Sequence, residues 1–357
     1  MTDLFNPSPE HAALRRMVRE FAEREVGPQA AAFDRDEAFN LPLFRKLGEL
    51  GLLGITAPET HGGTGMDAVA AVIAHEELAA QDPGFTLAYL AHAILFVNNL
   101  AYNGSEAQIA RLLPDACSGA RIGGMCMSEP GAGTDVLALT TTARPDGDDY
   151  VLDGAKMWIT NGALDDTTLG DVFLVYARVH GAPRKDLSMF IVEKGMPGFS
   201  LGQRIKDKLG MRASGTAELV FENCRVPAVN RVGDEGHATL HMMRNLELER
   251  LTLAAMSLGI ARRCIEVMND YASDRRSFGK PLRDFGQIQR FLGESYAEYM
   301  AGRSYVYQAA SQLASSSAQS GPASHAAPSA AYAPETWLSS PTSAARSAAG
   351  AAGLASC

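Results

Sequence analysis

The pattern of apolar and polar positions divides the chain into stretches with a helical period and stretches with a strand period. From about residue 9 to residue 118, apolar side chains recur every three or four positions, as in HAALRRMVREFAEREV and FRKLGELGLLGI. This spacing predicts amphipathic helices. The segment LAYLAHAILFVNNLAYNG is apolar on nearly every side, so we expect this helix to be buried. Asn103, Gly104 and Ser105 are predicted to form a turn between two helices.

The period changes between about residue 122 and residue 232. Short runs such as DYVLDGAKMWIT, DVFLVYARV, LSMFIVEKG and AELVFENCRVP alternate or stay apolar, with Gly, Pro, Asn and Asp between them, which is typical of strands. The helical period returns from about residue 235 to residue 313. The chain is therefore predicted to be an α+β protein with an N-terminal helical domain at 1–119, a middle β domain at 120–232 and a C-terminal helical bundle at 233–313.

The segment 314–357 has a different composition from the rest of the chain. It consists almost entirely of Ala, Ser, Pro and Gly and has no sustained hydrophobic period, so we predict that it is disordered. This bias is the one expected when a GC-rich gene is translated out of frame. We interpret the segment as an altered terminus that leaves the helical bundle incomplete.

Composition and charge exclude several classes of protein. The net charge of −9 argues against a nucleic-acid partner, because binding to phosphates requires a basic surface. We recognise no signal or transit peptide and expect no membrane-spanning run. The five cysteines never take a CxxC spacing, which favours free thiols in a reducing compartment. Only His237 and His241 have a helical pair spacing, and without a third ligand we predict no metal site.

Two stretches rich in glycine and hydroxyl groups are candidates for a ligand site. They are MCMSEPGAGTD at 125–135 and KMWITNG at 156–162. Neither fits the dinucleotide fingerprint or the phosphate-binding loop of nucleotide hydrolases. From the residues alone, two interpretations remain. The stretches are structural turns of a β domain, or they place Ser128, Thr134, Trp158 and Thr160 against a flat, polar ligand.

A second candidate is the helical segment LELERLTLAAMSLGIA. Glu247 and Glu249 are two positions apart, so on a helix their side chains point in different directions. No charged residue occurs from Leu251 to Ala261, so this helix is substantially buried and a carboxylate on its inner face would be strongly perturbed. The alternative is that both glutamates are solvated or paired with Arg244 and Arg250.

These segments together resemble the acyl-CoA dehydrogenase family. MCMSEPGAGTD followed by GAKMWITNG is similar to the paired flavin-binding motifs of that family, and LGELGLLGITAPETHGGTG, LGMRASGTAELVFENCRVP and DRRSFGKPL match it in the same order. The resemblance covers roughly residues 8–310. It implies an N-terminal helical domain, a middle β-barrel-like domain, a C-terminal four-helix bundle and a homotetramer. It also implies FAD bound between the β domain and the C-terminal helices.

The resemblance further implies roles for the residues that match its motifs. Ser128 would lie near the flavin pyrimidine edge, Trp158 beside the isoalloxazine and Thr160 near N5. Arg275 would reach the FAD pyrophosphate of a neighbouring subunit, and Gln287 or Gln289 would replace a glutamine that the family has where this chain has Gly286. The implied FAD contacts are Met125, Cys126, Met127, Ser128, Glu129, Pro130, Gly131, Ala132, Gly133, Thr134, Trp158, Ile159, Thr160, Arg275 and Gln287. The implied acyl-CoA contacts are Thr134, Tyr176, Ala177, Leu240, Glu247, Leu248, Glu249 and Arg250.

The implied reaction is α,β-dehydrogenation, which needs a carboxylate base in a dry site beside the thioester. LELER resembles the segment where the isovaleryl-CoA branch of the family carries this base, and Glu249 takes that position, although Leu240 replaces a tyrosine of that branch. We therefore expect FAD-dependent dehydrogenation of a short branched-chain acyl-CoA, with electrons passed to electron-transferring flavoprotein, in leucine catabolism or fatty acid metabolism. The compartment would be the cytoplasm of a bacterium or the mitochondrial matrix of a eukaryote. The alternatives are another short or branched acyl group, carried by CoA or by a carrier protein, and an inactive product with an altered C-terminus.

Overall fold

The structure, a computed structural model, describes residues 3–183 and 186–319. Helices come first along the chain, strands follow, and long helices return, which confirms the predicted α+β fold class. The chain forms two compact units that interleave in sequence. Among the described residues, the helical unit contains residues 3–28, Asp67–Pro83 and residues 250–319, and the sheet unit contains Gln29–Met66 and Gly84–Glu249.

The helices have well-defined starts. In chain order the described α-helices are α1 (Pro9–Phe21), α2 (Gly27–Arg35), α3 (Leu41–Glu49), α4 (Ala68–Ala79), α5 (Pro83–Leu90), α6 (Asn99–Asn103), α7 (Glu106–Ser118), α8 (Ala238–Asp274) and α9 (Gly286–Gln319). Wider π-helical turns occupy Ala22–Val26 and Ala91–Asn98. Asp67 caps α4 by accepting a hydrogen bond from the Ala70 N–H, and Ser105 forms a capping box with Gln108 at the start of α7. The predicted turn at Ser105 is therefore confirmed.

The helical unit encloses a group of charged residues. Within it, α1 packs on α4 and α4 packs on α9. Glu76 and Glu77, at the end of α4, are buried and face arginines from the surrounding helices. We call these residues the buried arginine–glutamate cluster, which consists of Arg15, Arg19, Glu76, Glu77, Arg262 and Arg303. The pairing satisfies charges that would otherwise be costly to bury.

Two helix boundaries differ from those predicted. The stretch FRKLGELGLLGI is helical only to Glu49, because the chain turns at Gly51, whose φ of 73° is left-handed. At the other end of the chain, α9 continues to Gln319, past the predicted boundary at residue 313. The rest of the segment predicted to be disordered, 320–357, lies outside the described residues.

The strands of the sheet unit form one eight-stranded sheet. They are β1 (Gly123–Cys126), β2 (Thr142–Asp146), β3 (Asp149–Thr160), β4 (Val172–Val179), β5 (Ser188–Glu193), β6 (Phe199–Arg204), β7 (Thr216–Pro227) and β8 (Arg231–Val232). The order is β6-β7-β3-β2-β4-β5-β8, and β1 pairs with β4 in parallel. In the helical unit, β9 (Arg276–Ser277) and β10 (Lys280–Pro281) form a short hairpin.

Both faces of the sheet are covered by apolar side chains. On one face, phenylalanines of β4, β5, β6 and β7 pack together with Leu152 and Cys224. On the other face, Leu174 and Tyr176 of β4 pack against Phe96, Leu100 and the apolar side of α7. This second cluster holds the π-helical turn Ala91–Asn98 against β1, and that arrangement brings both elements to the candidate site.

The helical stretch from Pro83 to Asn103 has 21 residues, and the mean hydropathy of its most apolar 18-residue window is 1.3, so by length and composition it is able to cross a membrane. The expectation that no run reaches this length was therefore wrong. However, 83% of its most apolar window is buried inside the fold, as we expected for LAYLAHAILFVNNLAYNG. Burial of this kind is typical of a core helix.

Candidate active site

The loop that follows β1 forms the first wall of a pocket. Met125, Met127 and Ser128 line it. The loop then turns tightly, because Glu129 and Ala132 exchange two backbone hydrogen bonds of 2.9 and 3.1 Å. The start of β1 lies close to the π-helical turn, since a Cβ added to Gly123 would be 2.3 Å from the ring of Phe96. Only glycine permits this approach at that position.

A buried ion pair between Glu129 and Lys156 links this loop to β3. The Glu129 side chain is 3% exposed, and its Oε1 is 2.8 Å from Nζ of the buried Lys156. The same carboxylate accepts hydrogen bonds from the backbone N–H and the hydroxyl of both Thr140 and Thr141. Lys156 and these donors hold the pKa of Glu129 down, at about 2, although burial opposes that shift. Burial lowers the pKa of Lys156.

The second wall comes from the end of β3, where the strand bulges. Its pairing with β7 shifts register between Lys156 and Ile159, so Met157 and Trp158 leave the regular ladder. Trp158 has a φ of 60°, a conformation that is costly for a bulky residue, and its side chain remains 54% exposed. Bulges commonly redirect side chains beside active sites. Here the bulge leaves Trp158, Ile159 and Thr160 lining the pocket.

The third wall is helical. Ala91 and Leu95, one turn apart in the π-helical segment, face Leu246 and Glu249 from the first part of α8. The three walls line a pocket of about 170 Å³, where most of the lining residues are apolar and Ser128, Thr160 and Glu249 supply polar side chains. Glu247 is exposed and lies outside this lining. The structure therefore places the two glutamates differently relative to the pocket.

The lining includes seven of the residues named from the sequence and three that were missed. The seven are Met125, Met127, Ser128, Trp158, Ile159, Thr160 and Glu249, and the three are Ala91, Leu95 and Leu246. Ala91 and Leu95 belong to a helix that is apolar on every side, so hydrophobicity alone does not show which face borders a pocket. Leu246 lies one turn before Glu249, and this spacing is the signal that would have identified it.

The remaining residues named from the sequence lie elsewhere. Cys126, Ala132, Ala177 and Leu248 are buried in the sheet unit, as is Tyr176, whose hydroxyl accepts a 3.1 Å hydrogen bond from Asn99. The carboxylate of Glu129 is bonded to Thr140, Thr141 and Lys156. Those exposed to solvent are Pro130, Gly131, Gly133, Thr134, Leu240, Glu247, Arg250, Arg275 and Gln287. Tyr176 and Glu129 are thus buried within the sheet unit and their side chains lie outside the pocket lining.

A pocket lined by apolar residues and by the side chains of Ser128, Thr160 and Glu249 is typical of an enzyme that acts on a small organic molecule. Matches to models of known protein families identify the class of enzyme. The acyl-CoA dehydrogenase N-terminal domain matches residues 8–120, the middle domain 124–224 and the C-terminal domain 239–355. The chain belongs to the acyl-CoA dehydrogenase family. The third match extends past residue 310, where the sequence motifs of the family stop.

Individual relatives agree with this assignment. The chain is 41% identical over 310 residues to the mitochondrial isovaleryl-CoA dehydrogenase of Oryza sativa subsp. japonica, covering 86% of this chain and 74% of the relative. It is similar to butyryl-CoA dehydrogenase from Megasphaera elsdenii, with a TM-score of 0.81 and 32% identity over 88% of this chain and 81% of that one. A glutaryl-CoA dehydrogenase from Mycobacterium smegmatis in complex with FADH2 matches with a TM-score of 0.80 and 30% identity, over 86% of this chain and 77% of that one.

The protein is an FAD-dependent oxidoreductase that acts on CH–CH bonds of acyl-CoA. The pocket residues suit the isoalloxazine ring of that cofactor. The exposed indole of Trp158 offers a flat aromatic face, and Met125 and Met127 offer polarizable apolar surface. The hydroxyls of Ser128 and Thr160 are able to bond the polar edge of a flavin.

Proposed function

We propose that the pocket holds the flavin ring of FAD together with the acyl end of a short branched-chain acyl-CoA, and that Glu249 is the base. The observation that carries this proposal is the position of Glu249, which lines the same pocket as Ser128, Trp158 and Thr160. On a helix, Glu247 is rotated from it by about 200°. Only Glu249 is therefore placed to reach a ligand in the pocket.

The chemistry follows from these positions. Bound FAD supplies the acceptor for the hydride that leaves the β-carbon of the acyl group. The Glu249 carboxylate accepts the weakly acidic α-proton at one of its oxygens, and Leu95 and Leu246 add apolar surface to the same pocket. The hydroxyls of Ser128 and Thr160 orient the flavin by hydrogen bonds to its polar atoms, and Trp158 limits its movement on one side.

The acyl chain and the partners are part of the proposal. The 41% identity to an isovaleryl-CoA dehydrogenase favours a short branched acyl group over the straight chain of a butyryl-CoA enzyme at 32%. Electron-transferring flavoprotein would reoxidise the flavin, in the manner expected from the family. Arg275 and Gln287 are exposed, as a homotetramer requires if they contact the FAD of a neighbouring subunit. A role in leucine catabolism follows from the proposed substrate.

The test is a pair of matched variants assayed with isovaleryl-CoA. Glu249→Gln should keep FAD and acyl-CoA binding but lower kcat by ~10²–10⁴-fold or more, because it removes a positioned general base. Glu247→Gln makes the same chemical change two residues away and should cost far less. Anaerobic titration, with loss of flavin absorbance as the signal, measures both the binding and the reduction.

Equal and mild losses in the two variants would contradict the assignment of Glu249. The same titration with butyryl-CoA and glutaryl-CoA tests the acyl group. We expect isovaleryl-CoA to give the highest kcat/KM, and a clear preference for either of the other two thioesters would replace it as the substrate.

A further inference from the structure

The buried Glu129–Lys156 ion pair lies beneath both segments that we assign to the flavin. We propose that this pair is a positioning device, which sets the spacing between the Met127–Ser128 backbone and the bulge that carries Trp158. The inference rests on the proposed flavin position, and it goes beyond the residues that line the pocket. Neither side chain of the pair belongs to the lining.

The pair connects the two segments directly. The Lys156 ammonium donates to Oε1 of Glu129 at 2.8 Å and to the carbonyl oxygen of Met127 at 3.3 Å. One residue further along each segment, the Met157 N–H donates to the carbonyl oxygen of Ser128 at 3.0 Å. Lys156 is also the last residue before the register shift that frees Trp158. Movement of the ammonium would therefore move Ser128 and Trp158 relative to each other.

The surroundings fix the pair in one place. Both oxygens of the Glu129 carboxylate are engaged, each by two donors from one threonine, and Oε1 by Lys156 as well. Lys156 has no exposed surface. A buried ion pair seldom adds net stability compared with apolar groups of the same size, but removal of one charge alone is strongly destabilising. A pair that has this geometry and borders a ligand pocket is better explained by the position it enforces.

The test removes both charges together. Lys156→Met/Glu129→Gln retains side-chain volume and leaves no uncompensated buried charge, so we expect the sheet unit to remain folded by circular dichroism. We expect the Kd for FAD, from quenching of flavin fluorescence, to rise roughly tenfold or more, with a shift of the flavin absorption bands. We also expect kcat to fall by on the order of 10²-fold, with a smaller change in KM, because misplaced groups slow chemistry more than binding.

Two controls make the result specific. Glu193→Gln removes a carboxylate that pairs with Arg111 and Arg121 in the same unit but lies outside the pocket lining, and it should leave the FAD Kd and spectrum unchanged. Thr160→Ala alters the pocket itself and should shift the flavin spectrum. If Thr160→Ala shifts the spectrum and the folded double variant does not, the positioning role is overturned. If neither shifts it, the proposed flavin position is wrong.

A charge-preserving variant covers the case in which the double variant does not fold. Lys156→Arg keeps the buried cation but replaces the compact ammonium with a larger planar fork, which changes the spacing to the Met127 carbonyl. We expect a folded protein with weakened FAD binding. A wild-type Kd and spectrum in Lys156→Arg would show that the ion pair serves only to stabilise the fold, and would overturn the proposal.

Discussion

Two non-glycine residues with left-handed backbone lie at the end of β3 and directly after it. Trp158 has a φ of 60° and Asn161 a φ of 62°, so two non-glycine residues with costly backbone flank the pocket residues Ile159 and Thr160. Asn161 tolerates this region better than most residues do. Its buried amide also donates to the carbonyl oxygens of Ala88 and Gly123, at 3.0 and 3.1 Å. One side chain thus ties α5 and β1 to the strand that carries Trp158.

We predict the effect of two substitutions at Asn161 on the stability of the protein. Asn161→Gly removes the two hydrogen bonds but keeps the backbone relaxed, whereas Asn161→Ala removes them and adds left-handed strain of ~1–2 kcal/mol. The alanine variant should therefore be less stable than the glycine variant by about that strain, reduced by the greater entropy of glycine when unfolded. Urea unfolding of the two variants measures the difference. A glycine variant that is the less stable of the two would contradict the strain interpretation.

The π-helical turn Ala91–Asn98 serves two surfaces at once. Ala91 and Leu95 face the pocket, while the buried His92 ties α7 to β1. The His92 Nδ1 accepts from the Gly123 N–H at 2.9 Å, so its Nε2 carries the proton and donates to the Ala116 carbonyl at 2.9 Å. Wide turns of this kind are frequent at functional sites.

Burial lowers the pKa of His92 from 6.5 to about 4. The folded state therefore keeps His92 neutral while the unfolded chain takes up a proton below pH 6.5, so stability is lost as the pH falls from 6.5 towards 4. This loss in the free energy of unfolding reaches ~3 kcal/mol near pH 4, and His92→Gln should abolish it. We expect the urea midpoint of the variant to fall less steeply than that of wild type between pH 6.5 and 4.5. Parallel profiles would rule out His92 as a source of the acid sensitivity.

For the molecule as a whole, the two units differ in what holds them together. The sheet unit relies on apolar packing across both faces of the sheet. The helical unit has charges at its centre, where Glu77 accepts from Arg15, Arg19 and Arg262 at distances between 2.6 and 3.1 Å. These arginines hold the pKa of Glu77 at about 2 against the effect of burial, so its contribution to stability is present above pH ~4.5 and lost as the pH falls towards 2.

We predict that the loss of one charge in this cluster affects one unit selectively. Glu77→Gln removes the buried carboxylate that pairs with Arg15, Arg19 and Arg262 and should cost ~3–5 kcal/mol. Hydrogen exchange should then accelerate in α1, α4 and the part of α8 after Arg250, while the sheet keeps its protection. Glu20→Gln, which removes an exposed partner of Arg24, should cost at most ~1 kcal/mol. Equal loss of protection in the sheet would show that the effect is not confined to the helical unit.

Sequence patterns predicted the long elements better than the short ones. The strands β3, β4, β5 and β7 and the helices α8 and α9 show clear periods, whereas β1 has four residues and β8 has two, too few to show one. The candidate site was predicted where a motif carries polar groups, as at Ser128, Thr160 and Glu249. The sequence could not show that the Glu129 carboxylate points inward, because its five donors come from Lys156 and two threonines brought close only by folding.

The buried arginine–glutamate cluster also determines when the helical unit can be completed during synthesis. Arg15 donates to the hydroxyl of Tyr307, which lies 292 positions later, and Glu76 pairs with Arg303, 227 positions later. At ~5–20 residues per second, the ribosome makes Tyr307 ~15–60 s after Arg15. The sheet unit is completed within that interval, at Glu249, so it has all its residues before Arg303 and Tyr307 exist. Until those residues are made, α1 and α4 expose surfaces that are buried in the folded protein. Chains that end between Glu249 and Arg303 should therefore show a protected sheet and chaperone-accessible N-terminal helices.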